Sequence, residues 1–76
     1  MELNKEEIRS FAESINSHCL LYGMSGNVGN LYFEANYGGD GAHRVTMLHV
    51  QLGHDEFVRD IDPESIEGIN NYLRQL

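Results

Sequence analysis

Apolar positions in the first third of the chain recur at helical spacing: Ile8, Phe11, Ala12, Ile15, Cys19 and Tyr22. Asn4 stands where a helix cap belongs, Glu7 lies three residues on to close a capping box, and Leu3 can staple to Ile8. The pattern predicts a helix from the cap at Asn4 to Gly23 or Gly26. Gly23 to Asn30 has the composition of a turn.

From Leu31 the period changes to two. Leu31, Phe33, Ala35 and Tyr37 point one way, and Tyr32, Glu34 and Asn36 the other. Gly38-Gly39-Asp40-Gly41 is a hairpin signal, because Asp-Gly accepts positive φ. A second strand follows over about Ala42 to Leu52, with a conflict of parity inside it. Val45 and Met47 share one face, whereas Leu48, Val50 and Leu52 share the other. A bulge near Met47 or a sheet covered on both faces would resolve the conflict.

Gly53-His54-Asp55 reads as a turn and Glu56 to Ile61 as a third, shorter strand with Phe57 and Ile61 inward. Asp62-Pro63-Glu64 then opens a helix: a capping aspartate, proline at the first helical position and an acid at the positive helix end. Ile66, Ile69, Leu73 and Leu76 form its buried stripe, with Tyr72 alongside. Gly68 costs this helix about 1 kcal/mol relative to alanine unless close packing requires it. The pattern predicts one α+β domain spanning residues 1–76. Its element order is α-β-β-β-α, with a three-stranded antiparallel sheet and both helices on one face.

Charge narrows the function classes. Twelve acidic residues oppose five basic ones, a formal net charge of −7. Binding to nucleic acid or an anionic membrane draws on Lys and Arg, which are scarce here, so neither is an expected direct partner. A field of this sign attracts a basic protein surface. The one cysteine, Cys19, forms no internal disulfide, and the first residues carry neither a basic nor an apolar leader pattern, so a reducing cytoplasm is the expected compartment.

No catalytic motif emerges. The glycines of Gly23-Met24-Ser25-Gly26-Asn27-Val28-Gly29 are three apart, lead from helix to strand and lack a following lysine, so the stretch is not a phosphate loop. Serines 10, 14, 17, 25 and 65 include no nucleophile elbow. His43 and His49 are too far apart on one strand to share an ion. His49, His54 and Asp55 around the Gly53 turn are the one metal-binding set the spacing allows. No enzyme activity, cofactor or bound metal is expected.

The densest chemistry is the acidic tract Asp55, Glu56, Asp60, Asp62, Glu64 and Glu67, opposed locally only by Arg59. Capping already accounts for Asp62 and Glu64. The functional reading makes Asp55, Glu56, Asp60, Glu64 and Glu67 a charged contact for a partner's Arg and Lys, with Tyr32 or Tyr37 as aromatic anchors.

The stretch Asp60-Ile61-Asp62-Pro63-Glu64-Ser65-Ile66-Glu67-Gly68-Ile69-Asn70-Asn71-Tyr72-Leu73 has an acidic entry, a Ser-Ile-x-Gly step and a late aromatic. Together with the size and charge of the chain, it resembles the small acidic anti-CRISPR and other anti-defence inhibitor proteins of phages. The resemblance implies a protein that masks a nucleic-acid-binding surface and transfers no particular residue, since those inhibitors share no fold. Two further readings stay open. One is a homodimeric module that buries Leu48 and Val50, or Val45 and Met47, against a second copy. The other is a metal- or small-ligand-binding domain using His49, His54 and Asp55.

Overall fold

The computed structural model describes the backbone of residues 1–52 and 57–76, and the side chains of 1–51 and 59–76. Helix α1 (Lys5–Tyr22) is followed by strands β1 (Ser25–Val28), β2 (Leu31–Tyr37), β3 (His43–Leu52) and β4 (Phe57–Asp60), then helix α2 (Pro63–Gln75). The four strands form one antiparallel sheet in the order β1-β2-β3-β4. The helices pack on each other, α1 against β1 and α2 against β3, leaving the other face of the sheet open.

The helix starts follow their sequence signals. The Asn4 side chain accepts from Glu7 N at 2.8 Å, and Glu7 Oε1 accepts from Asn4 N at 3.4 Å. Gly23 ends α1 at φ 112°, a conformation that strains any residue with a Cβ. At α2, Asp62 Oδ2 accepts from Ser65 N at 2.9 Å and Asp62 Oδ1 from Ser65 Oγ at 2.8 Å. Ser65 Oγ in turn accepts from Leu3 N at 3.0 Å, which ties the start of the chain to the start of α2.

Hydrogen bonds from Ser65 hold the Asp62 carboxyl below its ordinary pKa, more than partial burial raises it. A carboxyl depressed in the folded state stabilises the fold above its unfolded pKa, and that contribution is lost as pH falls through the folded pKa. Asp62→Ala is therefore expected to lower the thermal midpoint at neutral pH, with the difference from the parent closing in acid. Melting curves at both pH values check this.

The sheet has one strand more than the pattern predicts. Ser25 to Val28, read as a turn, pairs as β1 with Leu31 to Glu34 of β2. Its local composition favours a turn, and pairing overrides it. Gly26 makes the strand compatible with α1: a Cβ there would stand 2.1 Å from His18 Nε2. That nitrogen lies 3.0 Å from the Ser25 carbonyl oxygen, and the ring meets Phe33 edge-on at 5.2 Å.

A bulge settles the parity conflict in β3. Ala35 pairs with Val45 but Glu34 with Met47, so Thr46 is the extra residue. Val45, Leu48 and Val50 all then face the helices and are buried with Leu31, Phe33 and Ala35. Leu3, Ala12, Ile15, Cys19, Ile61, Ile69 and Leu73 complete the core. Tyr22 and Leu76, which their spacing places on the buried stripes, are exposed, because each lies at the end of its helix; Tyr37, an aromatic-anchor candidate at the end of β2, is exposed as well. Gly68 is explained by close packing: a Cβ there would lie 3.0 Å from Ile8 Cδ1.

Candidate functional site on the open sheet face

The bulge at Thr46 also decides which side chains meet on the open face. Without the extra residue Tyr32 would stand opposite Leu48; with it, Tyr32 stands opposite His49, and Glu34 opposite Met47. His49 in turn pairs with Asp60 of β4. Three adjacent strands thus present Glu34, Tyr32, Met47, His49 and Asp60 side by side.

Their contacts form a chain across the sheet. The Tyr32 hydroxyl donates to Glu34 Oε1 at 3.1 Å. The Tyr32 and His49 rings stack with centroids 6.4 Å apart and an interplanar angle of 18°. His49 Nδ1 lies 2.6 Å from Asp60 Oδ1, although the approach is too poorly directed to count as a hydrogen bond. It is a close polar contact, and a charge pair only when the imidazole is protonated. The Asp60 side chain remains 85% exposed.

The hydrogen bond to Glu34 raises the Tyr32 phenol above its ordinary pKa, with further upward contributions from desolvation and the Glu34 charge. Tyr32 is consequently a neutral phenol at physiological pH, an aromatic surface with one hydroxyl rather than a base. Met47, 40% exposed, adds apolar area beside it. A groove of about 550 Å³ runs on from this face towards α2, lined by Met47, His49, Asp60, Ile61, Pro63 and Ile66. The face thus combines an aromatic and apolar centre, Tyr32, His49 and Met47, with the flanking carboxylates of Glu34 and Asp60.

The residues singled out from sequence fare differently. Asp60 and Tyr32 come together on this face. Glu64 and Glu67 are exposed on α2, in the helical layer, so the acidic tract is divided between layers where Pro63 turns the chain. Tyr37 is at the end of β2, its ring 4.9 Å from that of His43. Asp55, Glu56 and His54 lie outside the described residues, so only His49 of the metal-binding set is placed. Among the described residues no three metal-ligating side chains gather. Burial raises the Cys19 thiol pKa, leaving it a poor nucleophile.

Sequence reasoning passed over Glu34 and His49 as partners of Tyr32. The signal for Glu34 was present, two residues along the same strand face. The signal for His49 depended on placing the bulge. The carboxylates are also available: among the described residues no Lys or Arg pairs with an Asp or Glu, and the one ion-pair contact is His49 with Asp60. A second exposed surface lies at the end of α1, where Leu20, Leu21 and Tyr22 are each at least 70% exposed. Leu21 and Tyr22 line a groove against Asn27 and Val28 of the edge strand β1.

No helix among the described residues is long and apolar enough to cross a membrane. No family model, curated protein or solved structure matches the chain.

Proposed function

We propose that this protein is a non-enzymatic inhibitor or masking protein that binds a basic, nucleic-acid-binding protein through its open sheet face, as the anti-CRISPR-like resemblance implies. The observation that carries the reading is the cluster of Tyr32, Glu34, Met47, His49 and Asp60, whose carboxylates pair with no Lys or Arg among the described residues. Carboxylates held on a rigid sheet take the place of phosphates before a partner's Arg and Lys. The stacked Tyr32 and His49 rings and Met47 supply the apolar centre that makes such a contact last. Glu64 and Glu67, on the helix that the groove leads to, extend the negative field beyond this face. A reducing cytoplasm, where the Cys19 thiol stays unmodified in the core, completes the proposal.

Capture from a cell extract on the immobilised protein tests it. The expected catch is basic nucleic-acid-binding protein, released by high salt and displaced by added nucleic acid. Capture that is indifferent to both salt and nucleic acid would overturn the reading.

A homodimer is the second reading, and a separate observation favours it. Leu20, Leu21 and Tyr22 border the free edge of β1, where a second copy could extend the sheet and cover them. His18 already occupies the Ser25 carbonyl on β1 and opposes such pairing. The side chains of β3 give it little support, since Val45, Leu48 and Val50 are covered by the helices and only Met47 of the four is exposed. Sedimentation at micromolar concentration is expected to show a monomer; a dimer that Leu21→Ser dissociates would favour this second reading.

A further inference from the structure

The basic side chains point to a second site, on another part of the molecule and with the opposite charge preference. Arg44 is near the start of β3 and Arg74 in the last turn of α2, and both are exposed. In a chain with twelve acidic residues, neither forms an ion pair among the described residues. Instead both line two neighbouring cavities, of about 190 and 310 Å³, which also share Asn70.

The smaller cavity is further lined by Gly38, Gly39, Asp40 and His43. His43 is only 8% exposed. Its Nδ1 lies 3.2 Å from Asn16 Oδ1, while its Nε2 is enclosed without a partner among the described residues. A buried polar nitrogen left unpaired is costly, and a bound group that pairs with it recovers that cost. The Asn70 amide is held by Val45 through one bond at its oxygen and one at its nitrogen, which fixes its place in the cavity wall. Asp40 directs one carboxylate oxygen at the Ala42 amide, 3.1 Å away. Its charge favours a singly charged guest over a multiply charged one.

We propose that the smaller cavity binds a small oxyanion, a carboxylate or a phosphate monoanion, held between the Arg44 and Arg74 guanidiniums. Guanidinium presents a planar fork of N–H donors that matches two oxygens of such a group. With a proton on Nε2, His43 donates to the guest while Nδ1 faces the Asn16 amide. This site does not depend on the proposed partner surface and takes a ligand of opposite charge.

Amide and imidazole NMR titrations of the intact protein with sodium acetate, and separately with sodium phosphate, test the proposal against sodium chloride at matched ionic strength. Saturable shifts at Gly38 to Ala42 and at the His43 ring are expected with at least one of the two oxyanions and not with chloride. Acetate alone would identify a carboxylate site, phosphate alone a phosphate site, and both a general oxyanion site. R44Q and R74Q, both at exposed positions, are each expected to weaken binding about tenfold, and K5Q to leave it unchanged. The proposal is overturned by a chloride response equal to that of the oxyanions, by the absence of saturation, or by K5Q weakening binding as much as R74Q does. Unchanged spectra away from the cavity show that each variant is folded.

Discussion

Replacing Asn70 with leucine is expected to remove about 2–4 kcal/mol of stability, although the two side chains are nearly equal in size. Strand β4 pairs with β3 only from His49 onward, so the earlier part of β3 has no strand on that side. At Val45 the Asn70 side chain takes the place of the missing strand. The Val45 N–H donates to Asn70 Oδ1 at 2.7 Å, and Asn70 Nδ2 donates to the Val45 carbonyl at 3.1 Å. Leucine would leave both backbone groups buried and unpaired, each at a cost of about 1–3 kcal/mol, reduced wherever water enters. A chain of this length has roughly 4–11 kcal/mol to lose. Urea denaturation measures the loss, and faster exchange of the Val45 amide would locate it. A change below about 0.5 kcal/mol would mean that the Asn70 pairing is dispensable.

Neighbouring positions on β2 should separate stability from binding. Phe33 is fully buried between the sheet and α1, where the His18 ring meets it edge-on. Phe33→Ala is expected to cost about 3–5 kcal/mol, the transfer of a large side chain plus the cavity it leaves. Tyr32, one residue earlier, points to the opposite face and is only partly buried. Tyr32→Ala removes a stacking partner of His49 and a hydrogen bond to Glu34, and should cost about 1 kcal/mol or less. Its larger effect falls on partner affinity, where loss of a central aromatic typically costs about 2 kcal/mol or more. Denaturation and binding measured on both variants check the division. Equal destabilisation by the two would contradict the assignment of faces.

Much of this architecture could be read from the chain because it is encoded locally. Asn4 with Glu7, and Asp62 with Pro63, mark helix starts through contacts within one turn. The hairpin after Tyr37 follows from its glycines and Asp40. What escaped the sequence depends on distant partners. Ser25 to Val28 is a strand only because β2 lies beside it and His18 needs the space at Gly26. The parity conflict in β3 pointed to a bulge near Met47 or to a sheet covered on both faces; only the pairing with β2 makes Thr46 the extra residue and puts His49 beside Tyr32. Asn70 sits one residue after Ile69 on a helical stripe and looks like a surface residue until the free edge of β3 is known. Among its described members the acidic tract is parted, Asp60 on the sheet from Glu64 and Glu67 on α2, because Pro63 starts a helix that leaves the sheet.

The central claim is that carboxylates on the open sheet face, rather than net charge alone, hold the partner. Two double variants of identical net charge separate these causes: Glu34→Lys with Asp60→Lys on the face, and Glu6→Lys with Glu13→Lys on α1. Affinity for the captured partner, measured by titration calorimetry at low and moderate salt, should fall at least about tenfold for the first pair and about twofold or less for the second. Equal losses from both pairs, or none from the first, would contradict the account.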